Sequence, residues 1–68
     1  MLETKAGELA GSIWNALNEN KEGLNLKNLK KAAKIKADKD LYLGLGWLLR
    51  EDKINTVAVE EDINVTLK

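Results

Sequence analysis

Sixty-eight residues without a single cysteine or histidine are expected to form one domain over residues 1–68, and they exclude disulfides and the usual zinc sites. A chain this short buries only about 60% of the surface its unfolded form exposes, so its support must come from tight packing or self-association. Eleven Lys plus Arg balance eleven Asp plus Glu, which argues mildly against a dedicated non-specific nucleic-acid binder, a class that is usually clearly basic.

The N-terminal MLETKAGELA lacks a basic segment followed by an apolar run. No apolar stretch approaches the roughly 20 residues that span a bilayer. A soluble, cytoplasmic protein without a membrane partner is therefore expected. Its charge is segregated. From Lys27 to Lys39, six lysines (Lys27, Lys30, Lys31, Lys34, Lys36 and Lys39) stand against one acid, Asp38. From Asp40 onward Asp40, Glu51, Asp52, Glu60, Glu61 and Asp62 oppose Arg50, Lys53 and Lys68.

Leu2, Ala6, Leu9, Ile13 and Leu17 recur at steps of three and four, the helical period. Thr4 is expected to cap this first helix, and Asn18, Asn20 and Gly23 to end it near Asn18. Trp14 sits about 100° from the apolar stripe, where its ordinary role is to cover the edge of the core. Asn25 is a good N-cap for a second helix, with Leu24 and Leu29 placed as a hydrophobic staple. That helix is expected over Leu26–Ala33, with Leu26, Leu29, Ala32 and Ala33 inward. Lys27, Lys30, Lys31 and Lys34 share its outward side, either as a solvated face or as a phosphate-contacting patch.

A tight turn over Lys34–Ala37 leads to a third helix from Asp38 to Glu51. Leu41, Leu45, Leu48 and Leu49, with Tyr42 beside them, are expected to face inward. The same projection places Leu43, Trp47, Lys39 and Arg50 on the opposite side. Gly44 and Gly46 each cost about 1 kcal/mol against alanine inside a helix. Their presence predicts a close approach by the first helix, the hairpin or another chain. Finally, Val57 and Val59, then Ile63, Val65 and Leu67, alternate at the strand period of two. A three-residue connection, Glu60-Glu61-Asp62, is expected to set Val59 against Ile63 and Val57 against Val65. Leu24–Leu26 offers a short extra strand. Three helices followed by a hairpin give an α+β fold, the winged helix-turn-helix arrangement.

The run DKDLYLGLGWLLREDKI over residues 38–54, with Ile13-Trp14 and Leu17 before it and Leu24-x-Leu26-x-x-Leu29 entering the second helix, resembles a family of small prokaryotic winged helix-turn-helix domains of unknown function. The resemblance covers nearly the whole chain. It implies the fold, a tendency to form homodimers, and an inferred role in nucleic-acid binding or regulation; it implies no catalytic residues. Two features depart from the family pattern. Alanine stands at position 37, where a capping serine is expected, and the wing tip Glu60-Glu61-Asp62 is acidic.

Catalysis is not expected. No hydroxyl has a base arranged beside it, Asp38 and Asp40 diverge on a helix, and Gly44 and Gly46 form no phosphate loop. No cofactor or small-molecule substrate is implied. Two roles remain. As a DNA-binding, transcription-regulator-like homodimer, the chain would contact phosphates of double-stranded DNA through Lys27, Lys30, Lys31, Lys34, Lys36, Lys39 and Arg50. As a protein-interaction module, it would dimerise through an apolar patch of Leu43, Trp47 and Trp14.

Overall fold

A computed structural model describes residues 2–68; the inward position expected for Leu2 falls outside its described side chains. The elements are α1 (Leu2–Asn18), β1 (Leu24–Asn25), α2 (Leu26–Ala32), α3 (Asp38–Arg50), β2 (Ile54–Val59) and β3 (Asp62–Leu67). The strands form one antiparallel sheet in the order β1-β3-β2, so the short strand entering α2 closes one edge of the wing. This is a winged helix-turn-helix of the α+β class. Thr4 lies within α1, two residues past its first, and so does not cap it.

The core keeps Ala6, Ile13, Leu17, Leu29, Leu41, Leu45 and Leu48 of the expected helical faces and adds Ala10, Ala16 and Ile35, which those faces do not include. Ala6, Ala10, Ile13, Ala16 and Leu17 of α1 meet Leu29, Ile35, Leu41, Leu45 and Leu48, and Ile54 and Val65 of the wing close it from below. Leu9 and Leu24 pack at its margin. Helix α2 starts as expected: the Asn25 side chain accepts from the Asn28 N–H at 2.9 Å, which satisfies one of the free donors of the first turn. Ala32 is exposed rather than inward, because the helix ends there and its last turn already leaves the core.

The face of α3 differs from the expectation. Leu41, Gly44, Leu45 and Leu48 are buried, whereas Tyr42 and Leu49 are 58% and 49% exposed. Leu43 and Trp47, expected outside, are half-buried, and Trp47 packs against the core. The cause is Gly44. A Cβ there would lie 2.6 Å from Ile13 Cδ1 and 3.1 Å from the Leu9 carbonyl carbon. Helix α1 therefore crosses directly over the bare backbone, and α3 is rotated so that a residue without a side chain faces the core.

The hairpin register is also shifted by one residue. The connection is Glu60-Glu61 alone, so Val59 pairs with Asp62, Val57 with Asn64 and Thr56 with Val65. A one-residue slip exchanges the two faces of a strand. Ile54 and Val65 consequently point into the core, while Val57 and Val59 stand exposed on the outer face. Glu61 adopts a left-handed conformation, φ 57°, which supplies the bend that a glycine usually provides.

Replacing Gly44 with alanine is expected to lower stability by about 1–3 kcal/mol, the usual effect of overpacking, because the Leu9 backbone has little room to yield. Chemical unfolding followed by tryptophan fluorescence checks this; an unchanged midpoint would refute the account of how α3 is oriented.

Candidate nucleic-acid interface

The lysine-rich segment is shaped by the way α2 ends. The Lys34 N–H donates to the Lys31 carbonyl at 3.1 Å and the Ile35 N–H to the Lys30 carbonyl at 3.0 Å, the paired bonds of a Schellman turn. Lys34 occupies the left-handed position at φ 59°, where glycine is the usual residue. The turn throws Ile35 back into the core and leaves Lys31, Lys34 and Lys36 on the surface, with Lys27 one helical turn before them. Among the described residues these four have no ion-pair partner.

The other candidate cations are engaged differently. Lys30 is half-buried, and its ammonium lies 2.7 Å from Asp38 Oδ1, so it joins α2 to the start of α3. Asp40 is held by Lys5 of α1 at 3.2 Å. Exposed pairs of this kind contribute at most about 1 kcal/mol each, but they neutralise charge that a phosphate would otherwise meet. The Ala37 cap position makes no side-chain hydrogen bond, and Asp38 does not replace it because its carboxylate is turned to Lys30. Lys39 is exposed. Arg50 is exposed too, with its guanidinium carbon 5.9 Å from the centre of the Trp47 ring, within range of a cation–π contact.

The outer face of α3 is apolar. Tyr42, Gly46 and Leu49 are exposed at steps of four and three. Together with Leu26, Thr56 and Ile63 they border a groove of about 230 Å³ between α3 and the wing. Glu60 and Glu61 stand exposed at the wing tip. A second cleft, about 360 Å³, lies on the other flank between α1 and α3. It brings Trp14 and Trp47 together with Gly11 and Leu48. Trp14 is 40% exposed, so it borders an open cleft rather than sealing the core. Leu43 does not join this cleft.

Sequence reasoning missed the Tyr42–Gly46–Leu49 stripe because Gly44 carries no apolar side chain and so did not register as an inward position. It also missed Asp62. One Asp62 oxygen accepts from the Leu26 N–H at 3.0 Å and from the Ile63 N–H at 2.7 Å, which fastens the wing turn to the first residue of α2. Among the described residues no cluster of three or more Asp, Glu, Cys or His is placed to hold a metal ion. Among the described residues no helix is long and apolar enough to cross a membrane.

Asp62→Ala is expected to cost about 1–2 kcal/mol, because the part-buried Leu26 N–H and the exposed Ile63 N–H both lose a charged acceptor. Asp62→Asn keeps one acceptor oxygen and should recover part of that loss. Denaturation midpoints check the order of the variants, and faster exchange of the Leu26 amide in Asp62→Ala locates the effect.

No curated protein matches the chain. The model of one family does, from the first helix through the wing, and on that match over residues 1–67 the chain belongs to the family described as winged helix-turn-helix domain (DUF2582).

Proposed function

We propose that this domain is a regulator-like nucleic-acid-binding module that works as a homodimer and grips the backbone of double-stranded DNA through its helix-turn-helix lysines. The observation that carries the reading is the exposed, unpaired set Lys27, Lys31, Lys34 and Lys36 on α2 and the following turn. Ammonium groups on a fixed turn neutralise phosphates and release counterions without selecting a base. Lys39, in the first turn of α3, adds to this surface, whereas Arg50 stands at the far end of α3 over Trp47, and Lys30 contributes less because Asp38 already holds it.

Base readout by α3 is a small part of this reading. The middle of its outer face offers Tyr42, Gly46 and Leu49, whereas major-groove recognition draws chiefly on Arg, Lys, Asn and Gln. That apolar face, beside an acidic wing tip, favours a second reading in which the winged-helix scaffold serves as a protein-interaction module without DNA. The two readings share the homodimer, since a domain of this size gains stability by association. The Leu43, Trp47 and Trp14 surface contributes through its Trp14–Trp47 cleft, as Leu43 lies apart from it.

Binding of a labelled duplex at low salt should weaken steeply as salt is added. Lys31→Glu combined with Lys34→Glu is expected to reduce affinity by at least about tenfold and to lower the salt slope by about one per lysine removed. Fluorescence anisotropy across a salt series measures both. No binding by the folded wild type at low salt would refute the nucleic-acid reading and leave the interaction module.

A further inference from the structure

The wing leaves one backbone edge without a partner. In the order β1-β3-β2 the last strand hydrogen-bonds on one side only. Among the described residues no backbone hydrogen bond outside that ladder reaches residues 54–59. The bond from the Lys68 N–H to the Lys53 carbonyl, 3.1 Å, sets the phase of the ladder. Residues of an antiparallel pair alternate between bonded and unbonded positions, so Asn55, Val57 and Val59 bond to β3. The N–H and C=O groups of Thr56 and Ala58 then point away from the sheet, and both residues are exposed. Folded proteins blunt such an edge with charge, proline, a bulge or brevity. Ile54–Val59 is six residues long, with neither charge nor proline, and its register runs without a bulge.

We infer that this edge takes up an extended peptide of a partner protein as a further strand, with aliphatic side chains at alternate positions and a basic residue ahead of them. The inference names the partner class for the protein-interaction reading above and rests on that reading. An added strand exchanges main-chain hydrogen bonds with the edge and draws specificity from pockets for its alternate side chains. Both are present here. Thr56 pairs with Val65 and Ala58 with Ile63, which sets these four side chains on one face of the sheet, the face turned to α3. Thr56 belongs to the edge and also to the wall of the groove of about 230 Å³ between α3 and the wing. A peptide residue that exchanges bonds with Thr56 projects to that same face. There it meets Tyr42 and Leu49, which are 58% and 49% exposed.

The chemistry of the groove argues against a second copy as the occupant. Its β2 would bring Thr56 and Ala58 to this face, a hydroxyl and a methyl group, where Tyr42, Leu45, Leu49 and Val65 offer apolar surface. Larger aliphatic side chains at two alternate positions cover that surface. Antiparallel addition continues the pattern of the sheet and is slightly favoured over parallel pairing. It places the start of the peptide beside the wing tip, where Glu60 and Glu61 are exposed. Neither makes an ion pair among the described residues. Lys27 borders the same hollow as Glu61, which leaves Glu60, directly after β2, as the acid that meets the incoming charge. Because β2 itself carries none, a basic residue ahead of the aliphatic ones selects both direction and register.

The test is an NMR titration of the isotope-labelled domain with a synthetic peptide in which isoleucine alternates with threonine behind one N-terminal lysine. The expected result is shifted and exchange-protected Thr56 and Ala58 amides, with shifts at Tyr42 and Leu49 and none at Gly11 or Trp14. Ala58→Pro deletes an outward N–H and keeps the bonds to β3, a position where an edge strand tolerates proline. It should weaken binding by about tenfold. N-methylation of the peptide residue opposite Thr56 should do the same on the unaltered protein, so a folding defect in the variant does not decide the result. Moving the lysine to the other end of the peptide should weaken binding by about twofold to fivefold. Binding indifferent to N-methylation would overturn the strand addition. Shifts confined to Gly11, Trp14 and Trp47 would overturn this site and leave the interaction reading standing, whereas a peptide that shifts no signal overturns both. Thr56 and Ala58 amides that gain protection with protein concentration alone would make a second copy the occupant and overturn the peptide.

Discussion

The structure depends on one close contact, the crossing of α1 over Gly44. It brings the Leu9 backbone and the Ile13 side chain against the bare surface of α3, and that contact sets the rotation of α3 about its own axis. Leu41, Leu45 and Leu48 turn inward as a result. Burial of each stabilises the domain by about 1.5–3 kcal/mol, which outweighs the roughly 1 kcal/mol that a helical glycine costs. The same rotation carries Trp47 half inside, under Arg50, and brings Tyr42 and Leu49 to the surface. The outward face of the third helix is therefore a consequence of how the first helix packs.

The order of elements, the N-cap at Asn25, the short β1 strand and most of the core were legible from period and capping chemistry alone. Leu29, Ile13, Leu17 and Val65 all stand where apolar spacing places them. The orientation of α3 was not legible. Hydrophobic periodicity weights side chains, and the decisive inward residue has none, so the projection drifted toward Tyr42 and Leu49. The wing register escaped for a related reason. Glu60-Glu61-Asp62 contains neither glycine nor asparagine to mark the bend, and Asp62 reads as part of a polar loop. It is in fact the first residue of β3, held there by its bonds to the Leu26 and Ile63 amides. In the candidate interface, the lysine run was visible as charge. Its exposure depends on the turn at Lys34, a conformation that a lysine does not announce.

Among the described residues three non-glycine residues sit in the left-handed region: Lys34, Asp52 and Glu61. Lys34 and Asp52 close α2 and α3 by the same device. The Lys53 N–H donates to the Leu48 carbonyl just as Ile35 donates to Lys30. An L-residue in this conformation costs on the order of 1–2 kcal/mol, a large amount against a domain stability of roughly 5–15 kcal/mol. Glycine at any of the three would relieve it. Each position instead carries a charge, positive at the turn between α2 and α3, negative after α3 and at the wing tip. The charge segregation of the sequence is thus maintained at the points where the backbone least favours a side chain.

These constraints leave the surface with two regions of different chemistry. The α2 lysines project from a short helix and a rigid turn, so they hold a fixed array of positive charge suited to a phosphate backbone, whose recognition needs position more than chemistry. The outer stripe of α3 has the opposite character. Placed in a major groove, Tyr42 and Leu49 would find little apolar surface beyond thymine methyl groups, and Gly46 would contribute no side chain to a base edge.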